Sequence, residues 1–129
     1  MKTLEIRTRA GEEIVDLTSE VQGVVASSGA KDGLCVVFVP HTTAGVTINE
    51  NADPDVRADI LTALRRAVPD NIPFAHSEGN SPAHIKASLI GSSVTVIVED
   101  GKLLLGTWQG IQFCEFDGPR SRKLYVQVL

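Results

Sequence analysis

All three histidines of the chain lie in short polar segments rich in hydroxyl, amide and carboxylate side chains. His41 begins the stretch His41-Thr42-Thr43-Ala44-Gly45, while His76 and His84 flank a loop that contains a glycine. Neutral imidazole is a common metal ligand, and three such rings with one water describe an open zinc site. The competing interpretation for each histidine is a surface or hydrogen-bonded core residue, because no diagnostic metal motif such as HExxH is present.

The segment around His84 adds further candidates for chemistry. Glu78 lies between the two later histidines, where it is a candidate general base or a group that orients a histidine. His84 falls in the first turn of a predicted helix, where the helix dipole favours the neutral ring and an anion can dock. Lys86 lies on another face of that helix, so it either reaches an anion near the helix start or is simply solvated.

The last polar cluster contains Trp108, between Gly106 and Gly110, and Arg120 in a turn after Asp117. A tryptophan is by default a core or interface residue, and stacking on a ligand is the alternative. The guanidinium of Arg120 either clamps a phosphate or carboxylate or pairs with Asp117.

Composition restricts the classes of protein to which the chain can belong. It has 129 residues, is 43% hydrophobic and 22% charged, and carries a formal net charge of −4. We therefore expect one folded domain over residues 1–129, with no affinity for nucleic acid. No apolar run is long enough to span a membrane, and Met1 to Arg9 lacks the apolar block of a signal peptide, so we expect a cytoplasmic protein. Cys35 and Cys114 have no CxxC partner and are expected to be small core residues.

Three helices and about eight strands are predicted to position these residues. Asp53-Pro54 and Ser81-Pro82 are helix starts, and Pro69 and Gly91 end those two helices. A first helix is predicted over Ser19–Ser28, with a capping box between Ser19 and Gln22 and a stop at Gly29.

Strands are predicted from alternating or continuous apolar runs. They are Thr3–Arg9, Glu13–Leu17, Leu34–Val39, Val46–Asn49, Ser93–Val98, Lys102–Leu105, Ile111–Phe116 and Leu124–Leu129. The run Leu34–Val39 is interpreted as a strand buried on both faces. Because the helices are few and do not alternate regularly with strands, we predict an α+β domain, a mostly antiparallel β-sandwich with about three short helices.

The polar clusters, taken in order, resemble the YjbQ-like family, the secondary thiamine-phosphate synthase family, and the resemblance runs from end to end. The stretches that carry it are His41-Thr42-Thr43-Ala44, Thr47 to Val56, His76-Ser77-Glu78-Gly79-Asn80, Ala83-His84-Ile85-Lys86, Gly106 to Gly110, and Glu115 to Arg120. The resemblance implies a largely β domain that forms a homotrimer, with polar pockets near subunit boundaries. It also implies synthesis of thiamine phosphate from an aminopyrimidine methyl diphosphate and a thiazole phosphate, with release of pyrophosphate.

Roles for individual residues follow from the same resemblance. His41, His76 and His84 would bind a divalent metal, zinc or else magnesium, or an anion, and Glu78 and His41 would be catalytic. The substrate- or anion-binding residues would be Asn49, Glu50, Asn80, Lys86 and Arg120. Two other functions stay open: a metal-assisted hydrolase or lyase that acts on a phosphorylated small molecule, and a non-catalytic module that binds an anionic metabolite or a metal.

Overall fold

The computed structural model describes residues 1–129, which form eight strands and three helices. The strands are β1 (Lys2–Arg7), β2 (Glu13–Asp16), β3 (Gly33–Phe38), β4 (Ala44–Glu50), β5 (Ser93–Glu99), β6 (Lys102–Leu103), β7 (Gln109–Glu115) and β8 (Ser121–Val128). The helices are α1 (Thr18–Ser28), α2 (Pro54–Ala67) and α3 (Ser81–Ile90). The predicted α+β sandwich with three helices is confirmed. None of these helices is both long and apolar enough to cross a membrane.

Two antiparallel sheets form the layers of the sandwich. The larger sheet has the strand order β1-β8-β3-β5-β6, and the smaller one has the order β2-β7-β4. Alternate residues of each strand enter the main core, which includes Cys35 and Val37 of β3, Ile111 and Phe113 of β7, and Leu124 of β8. Helix α3 packs on the outer face of the smaller sheet, where Ala83 and Ala87 contact Cys114 and Phe116.

The two later helices begin as the sequence predicts, and the first does not. The Asp53 carboxylate accepts a hydrogen bond from the Asp55 N–H at 2.9 Å and so caps α2, with Pro54 in the first turn. The predicted capping box of α1 is wrong, because Asp16 and not Ser19 accepts from the first N–H of the helix, that of Thr18. Gln22 instead bonds the backbone of Gly101 and Leu103. Gly29 ends α1 in the left-handed conformation, as predicted (φ 71°).

The prediction that β3 is buried on both faces is also wrong. Cys35 and Val37 are fully buried, but Leu34 and Phe38 on the other face are 42% and 43% exposed. Helices α2 and α3 pack on the smaller sheet, and α1 contributes Val21 and Val25 to the main core. The outer face of the larger sheet therefore has no covering layer within the chain. A continuous apolar run cannot distinguish a strand covered on both faces from one whose second face is open.

Three segments that pass from one sheet to the other meet at the same end of the sandwich. They connect β1 to β2, β3 to β4, and β7 to β8. Arg7 at the end of β1 pairs with Ser121 at the start of β8. In the other sheet, Ala44 at the start of β4 pairs with Glu115 at the end of β7. The segments contain His41, Asp117 and Arg120, so the architecture gathers several predicted site residues at this end.

A buried ion pair between Glu115 and Arg122 ties the three segments together. The Arg122 guanidinium donates through Nε to Glu115 Oε1 at 2.8 Å and through Nη2 to Glu115 Oε2. The hydroxyl of Thr8, from the first segment, donates to Glu115 Oε1 at 2.8 Å. Arg122 Nη2 also donates to Thr43 Oγ1, from the second segment, at 2.8 Å. Since Glu115 and Arg122 are 0% and 4% exposed, this network is the polar core at this end of the sandwich.

The same contacts hold the pKa of Glu115 below its ordinary value. Burial raises the pKa, but hydrogen bonds from Arg122, the Asp117 N–H and Thr8, together with the Arg122 charge, lower it further than burial raises it. A depressed pKa in the folded state means that this carboxylate stabilises the fold fully above pH 4.5, the ordinary value. That stabilisation is lost as the pH falls through the lower pKa of the folded state.

We predict that Glu115→Gln lowers the free energy of unfolding at pH 7 by about 3–5 kcal/mol, because Arg122 would remain charged and buried without its partner. The measurement is urea unfolding at one fixed protein concentration. Wild-type stability should fall on acidification below pH 4.5, and the part of this loss due to Glu115 should be missing from the variant.

The double variant Glu115→Leu/Arg122→Met is the control, because it removes both charges. It should recover much of the stability that the single variant loses. A single variant as stable as wild type would contradict the central role of the pair.

Candidate functional site

His41 fills a gap in the pairing of the larger sheet. Strand β3 ends with Phe38 opposite Tyr125 of β8, and continuing this antiparallel register would bring Pro40 opposite Lys123. Proline has no N–H to donate, so β3 cannot continue its ladder there. The Nε2 atom of His41 takes the place of the strand, at 3.1 Å from both the N and the O of Lys123.

This anchor leaves the other ring nitrogen of His41 free. With the proton on Nδ1, Nε2 accepts the hydrogen bond from the Lys123 N–H, and with the proton on Nε2 it donates to the Lys123 carbonyl. Nδ1 makes no hydrogen bond within the chain in either case. A ligand would therefore meet Nδ1 as a donor in the first tautomer and as an acceptor in the second.

The surroundings of His41 favour its neutral form. Partial burial of the ring and the positive charge of Arg122 lower its pKa, and they outweigh the Lys123 backbone bond and the Glu115 charge, which raise it. A neutral imidazole can accept a proton near neutral pH through one nitrogen and donate a hydrogen bond through the other, so His41 has the properties of a general base and of a neutral hydrogen-bond donor.

Two polar hollows meet at His41. The β1–β8 hollow has a volume of about 580 Å³ and is lined by Glu5, Ile6, Arg7, His41, Ser121, Arg122 and Lys123. The α3 hollow has a volume of about 370 Å³ and is lined by His41, Thr42, Ala44, His84, Ala87, Ser88, Gly91 and Ser92. Gly45 permits the close contact of β4 with the end of α3 beside this second hollow, since a Cβ there would lie 2.6 Å from the Gly91 carbonyl oxygen.

His84 links the α3 hollow to the remaining histidine. The rings of His76 and His84 pack edge to face, with their centroids 5.5 Å apart. Glu78 Oε2 lies 3.9 Å from His76 Nε2, and the Glu78 side chain is 71% exposed. Glu78 lines neither hollow that contains His41, so the two predicted catalytic residues lie in different parts of this surface.

The chain by itself does not bring three potential ligands together. No group of three or more His, Cys, Asp or Glu side chains is arranged to hold a metal ion. The His84 ring packs against the His76 ring, and His84 lines the α3 hollow together with His41. The three rings nevertheless do not surround one point. The three-histidine zinc site therefore does not fit the donor set of a single chain, and the metal stays a prediction.

A separate polar region at the start of α3 contains Lys86, Asn80 and Arg120. Lys86 is 6% exposed, and its Nζ donates to Glu12 Oε2 at 2.8 Å. Asn80 Nδ2 donates to Asp117 Oδ2 at 3.1 Å, and its buried Oδ1 has no partner. Arg120 bonds the carbonyl and carboxylate of Asp117, which is the simpler of its two predicted roles. Lys86 and Arg120 are thus already paired with carboxylates.

The side-chain oxygens of Asn49 and Glu50 accept hydrogen bonds from nearby backbone N–H groups. Asn49 Oδ1 accepts from the Glu50 N–H at 2.7 Å, and Glu50 Oε2 accepts from the Ala52 N–H at 3.0 Å. Both oxygens stabilise the turn that leads into α2.

Trp108 is 63% exposed, so its interpretation as a core residue is wrong, while a place in an interface or against a ligand stays open.

Three residues that line the hollow beside His41 were not predicted from the sequence, namely Arg7, Arg122 and Lys123. A signal was available for one of them. Arg122, Leu124 and Val126 alternate with exposed residues in β8, and all three are buried. An arginine in the inward register of an apolar strand indicates a buried charge with a partner, but the strand was predicted to begin only at Leu124.

Comparisons with known proteins agree over the full chain. Residues 2–129 match the family model described as UPF0047 protein YjbQ-like. A UPF0047 protein of Methanocaldococcus jannaschii is 56% identical over 97% of this chain and 91% of its own length. The YugU protein of Bacillus subtilis is 49% identical over 100% of this chain and 98% of its own. A crystal structure of a YjbQ/UPF0047 family protein from Clostridium acetobutylicum has a TM-score of 0.98 and 54% identity, with both chains covered completely.

We predict that His41 titrates below 6.5, the ordinary value for histidine, when its ring signals are followed by NMR as a function of pH. Lys123→Gln should raise this pKa, because the Lys123 charge contributes to lowering it. The signals are assigned by their loss in His41→Gln. A His41 pKa at or above the ordinary value would contradict the neutral-ring interpretation.

Proposed function

The chain belongs to the UPF0047 protein YjbQ-like family, and we propose that it is an enzyme that acts on a phosphorylated small molecule at His41. The observation that carries the proposal is the position of this ring. His41 is anchored through Nε2, lies where two polar hollows meet, and has a free Nδ1 and a lowered pKa. Such a group can donate a hydrogen bond to a phosphate oxygen or accept a proton from a substrate.

The reaction that we propose first is the synthesis of thiamine phosphate, as the family resemblance implies. The thiazole nitrogen forms a bond to the methylene carbon of the aminopyrimidine, and the bond from that carbon to the diphosphate oxygen breaks. Pyrophosphate leaves with the bonding electrons, so the chemical demand on the protein is to stabilise negative charge on the departing group. In this reaction His41 would hydrogen-bond the leaving pyrophosphate.

A divalent ion, zinc or else magnesium, remains part of the proposal, since such an ion would neutralise charge on a diphosphate. No step here depends on it, because the donor set of one chain does not form a three-ligand site. We also propose that the protein acts in the cytoplasm, as the sequence indicates.

The second candidate is a hydrolase or lyase for a phosphorylated small molecule. It is favoured by the neighbouring side chains of His76, Glu78 and His84. Glu78 would act there as a general base toward water. The third candidate, a module that binds an anionic metabolite without turnover, predicts ligand binding and no reaction.

We predict that His41→Gln lowers the rate of pyrophosphate release from an aminopyrimidine diphosphate and a thiazole phosphate by about 10²–10³-fold, the usual cost of removing one hydrogen-bond donor to developing negative charge. The rate is measured with a coupled pyrophosphate assay, with added Mg²⁺ or Zn²⁺ and after chelation. Lys102→Gln, at an exposed residue far along the larger sheet in strand β6, is the control and should match wild type.

The candidates give different results in the same assay. Loss of rate in Glu78→Gln with His41→Gln unaffected would move the site to the His76–Glu78–His84 region. No turnover of either substrate class by wild type would remove the enzyme and leave the binding module.

We further propose that the chain forms a homotrimer, as the resemblance implies, and that the open face of the larger sheet takes part in the contact between copies. Leu34 and Ile97 lie opposite each other on this face, and the ring of Phe38 stacks on that of Tyr125 at 6.5 Å. Ile97 is 55% exposed. An apolar surface of this kind on a sheet is typical of a protein–protein contact.

We predict that the wild-type protein sediments at three times the chain mass of 13.8 kDa. Ile97→Asp should shift it toward a single chain, because a charge would be buried in the contact. Ile72→Asp changes an apolar residue that is 46% exposed between α2 and α3, and should leave the mass unchanged. A wild-type protein of single-chain mass at micromolar concentration would contradict the trimer.

A further inference from the structure

The segment that carries His41 lies between the two sheets and belongs to neither. Residues 39–43 connect β3 of the larger sheet to β4 of the smaller one and have no regular secondary structure. At the start of the segment, the Val39 N–H donates to the Ser92 carbonyl at 2.8 Å. Since no strand pairing extends over the rest of it, the position of the His41 ring depends on the individual contacts of this segment.

Two consecutive residues of β8 make those contacts. Arg122 is buried and points to the inside of the sandwich, because side chains alternate along a strand. Its Nη2 donates to Thr43 Oγ1 at 2.8 Å and to the Thr43 carbonyl at 3.4 Å. The next residue, Lys123, bonds His41 Nε2 through its backbone at the edge of the strand. The same part of β8 therefore holds the His41 ring and the residue two positions after it.

The contact between Arg122 and Thr43 is buried and has a fixed geometry. Thr43 is 5% exposed and Arg122 is 4% exposed. Both oxygens of Glu115 bind the guanidinium, so Nη2 is presented to Thr43 in one orientation. A hydrogen bond from a charged donor in a buried site is stronger than one at the surface. The Thr43 hydroxyl is therefore the fixed point from which the segment runs to the surface.

We infer that Thr43 is a positioning residue for His41. Its hydroxyl, held by Arg122, fixes the end of the segment, so that the His41 ring stays bonded to the Lys123 backbone with Nδ1 available where the two hollows meet. The inference rests on the proposed function, since it names a residue that prepares His41 for a substrate without touching the substrate itself. Without this hydroxyl the ring would leave the strand edge for part of the time, and its alignment with a substrate would be lost.

Thr8 offers a matched comparison within the same network. Its hydroxyl also bonds the ion pair, at 2.8 Å from Glu115 Oε1, and the residue is 1% exposed. It lies in the segment between β1 and β2, which contains no histidine. A threonine that only stabilises the ion pair would have the same effect at either position, whereas a threonine that positions His41 must be Thr43.

The test is amide hydrogen exchange of the whole protein, followed residue by residue by NMR. The Lys123 N–H donates to the His41 ring, so its exchange reports whether the ring is in place. Tyr125, which pairs with Phe38 along the same edge of β8, is the internal reference, because global unfolding affects both amides equally. We expect Thr43→Val to accelerate the exchange of Lys123 relative to Tyr125 by about tenfold, the equivalent of one hydrogen bond.

Two further variants make this result specific. Thr43→Ser retains the hydroxyl and should keep the ratio of the two exchange rates close to that of wild type. Thr8→Val removes the other hydroxyl and should leave the ratio unchanged even if it destabilises the fold. In Thr43→Val the pKa of His41 should also rise toward its ordinary value, because a ring that moves away loses the burial and the nearby Arg122 charge that lower it.

Thr43→Val is expected to fold, since valine has nearly the shape of threonine and Arg122 Nη2 keeps Glu115 and the backbone carbonyl of residue 43 as acceptors. Circular dichroism checks this. If the variant is unfolded, Thr43→Cys takes its place, because its thiol is only a weak acceptor, and it should change the exchange ratio in the same direction. An unchanged ratio in the folded variant, or an equal change in Thr8→Val, would overturn the role of Thr43.

The same measurements distinguish this role from the proposed function. Faster exchange of Lys123 in Thr43→Val, with no turnover by wild type, would retain Thr43 as the residue that positions the ring and remove the enzyme. Turnover that depends on His41, with an unchanged exchange ratio in Thr43→Val, would retain the enzyme and remove the role of Thr43.

Discussion

The ion pair between Glu115 and Arg122 is the interaction on which the rest of the structure depends. It lies at the end of the sandwich where the chain passes three times between the sheets, and it binds a threonine from each of two other segments, Thr8 and Thr43. Residues that face the β1–β8 hollow are near neighbours of this network in sequence: Arg7 precedes Thr8, His41 is two residues before Thr43, and Lys123 follows Arg122. This buried, hydrogen-bonded pair therefore fixes both the fold and the position of the surface groups.

The same geometry explains why His41 is not a simple loop residue. Its ring substitutes for a strand residue at the point where Pro40 ends the pairing of β3 with β8. Backbone groups that lose a strand partner need another one, and the imidazole supplies it with one nitrogen while the second stays available. The anchored ring thus serves both the sheet and the hollows beside it.

The sequence predicted local structure better than it predicted the site. The starts of α2 and α3 were correct because Asp53 caps α2 through the nearby Asp55 N–H, and because Pro54 and Pro82 are each suited to the first turn of a helix. The open face of β3 was missed, because exposure of Leu34 depends on which layers cover the sheet. The sequence places the three histidines in polar segments, but their division between two regions depends on strand pairing far along the chain. Arg122 was missed for the same reason, since its partner Glu115 lies on a strand of the other sheet.

The strand order of the larger sheet has a consequence for biosynthesis. Strand β8 lies between β1 and β3, so the first strand of the chain is held in the sheet only by the last one. A nascent chain on the ribosome can form β3 and β5 early, but β1 has no place to pair until Ser121–Val128 has emerged. Because β8 also carries Arg122 and Lys123, the hollow that they line forms only after β8 has been synthesised. A chain that ends before Ser121 would lack this hollow together with the strand that closes the fold.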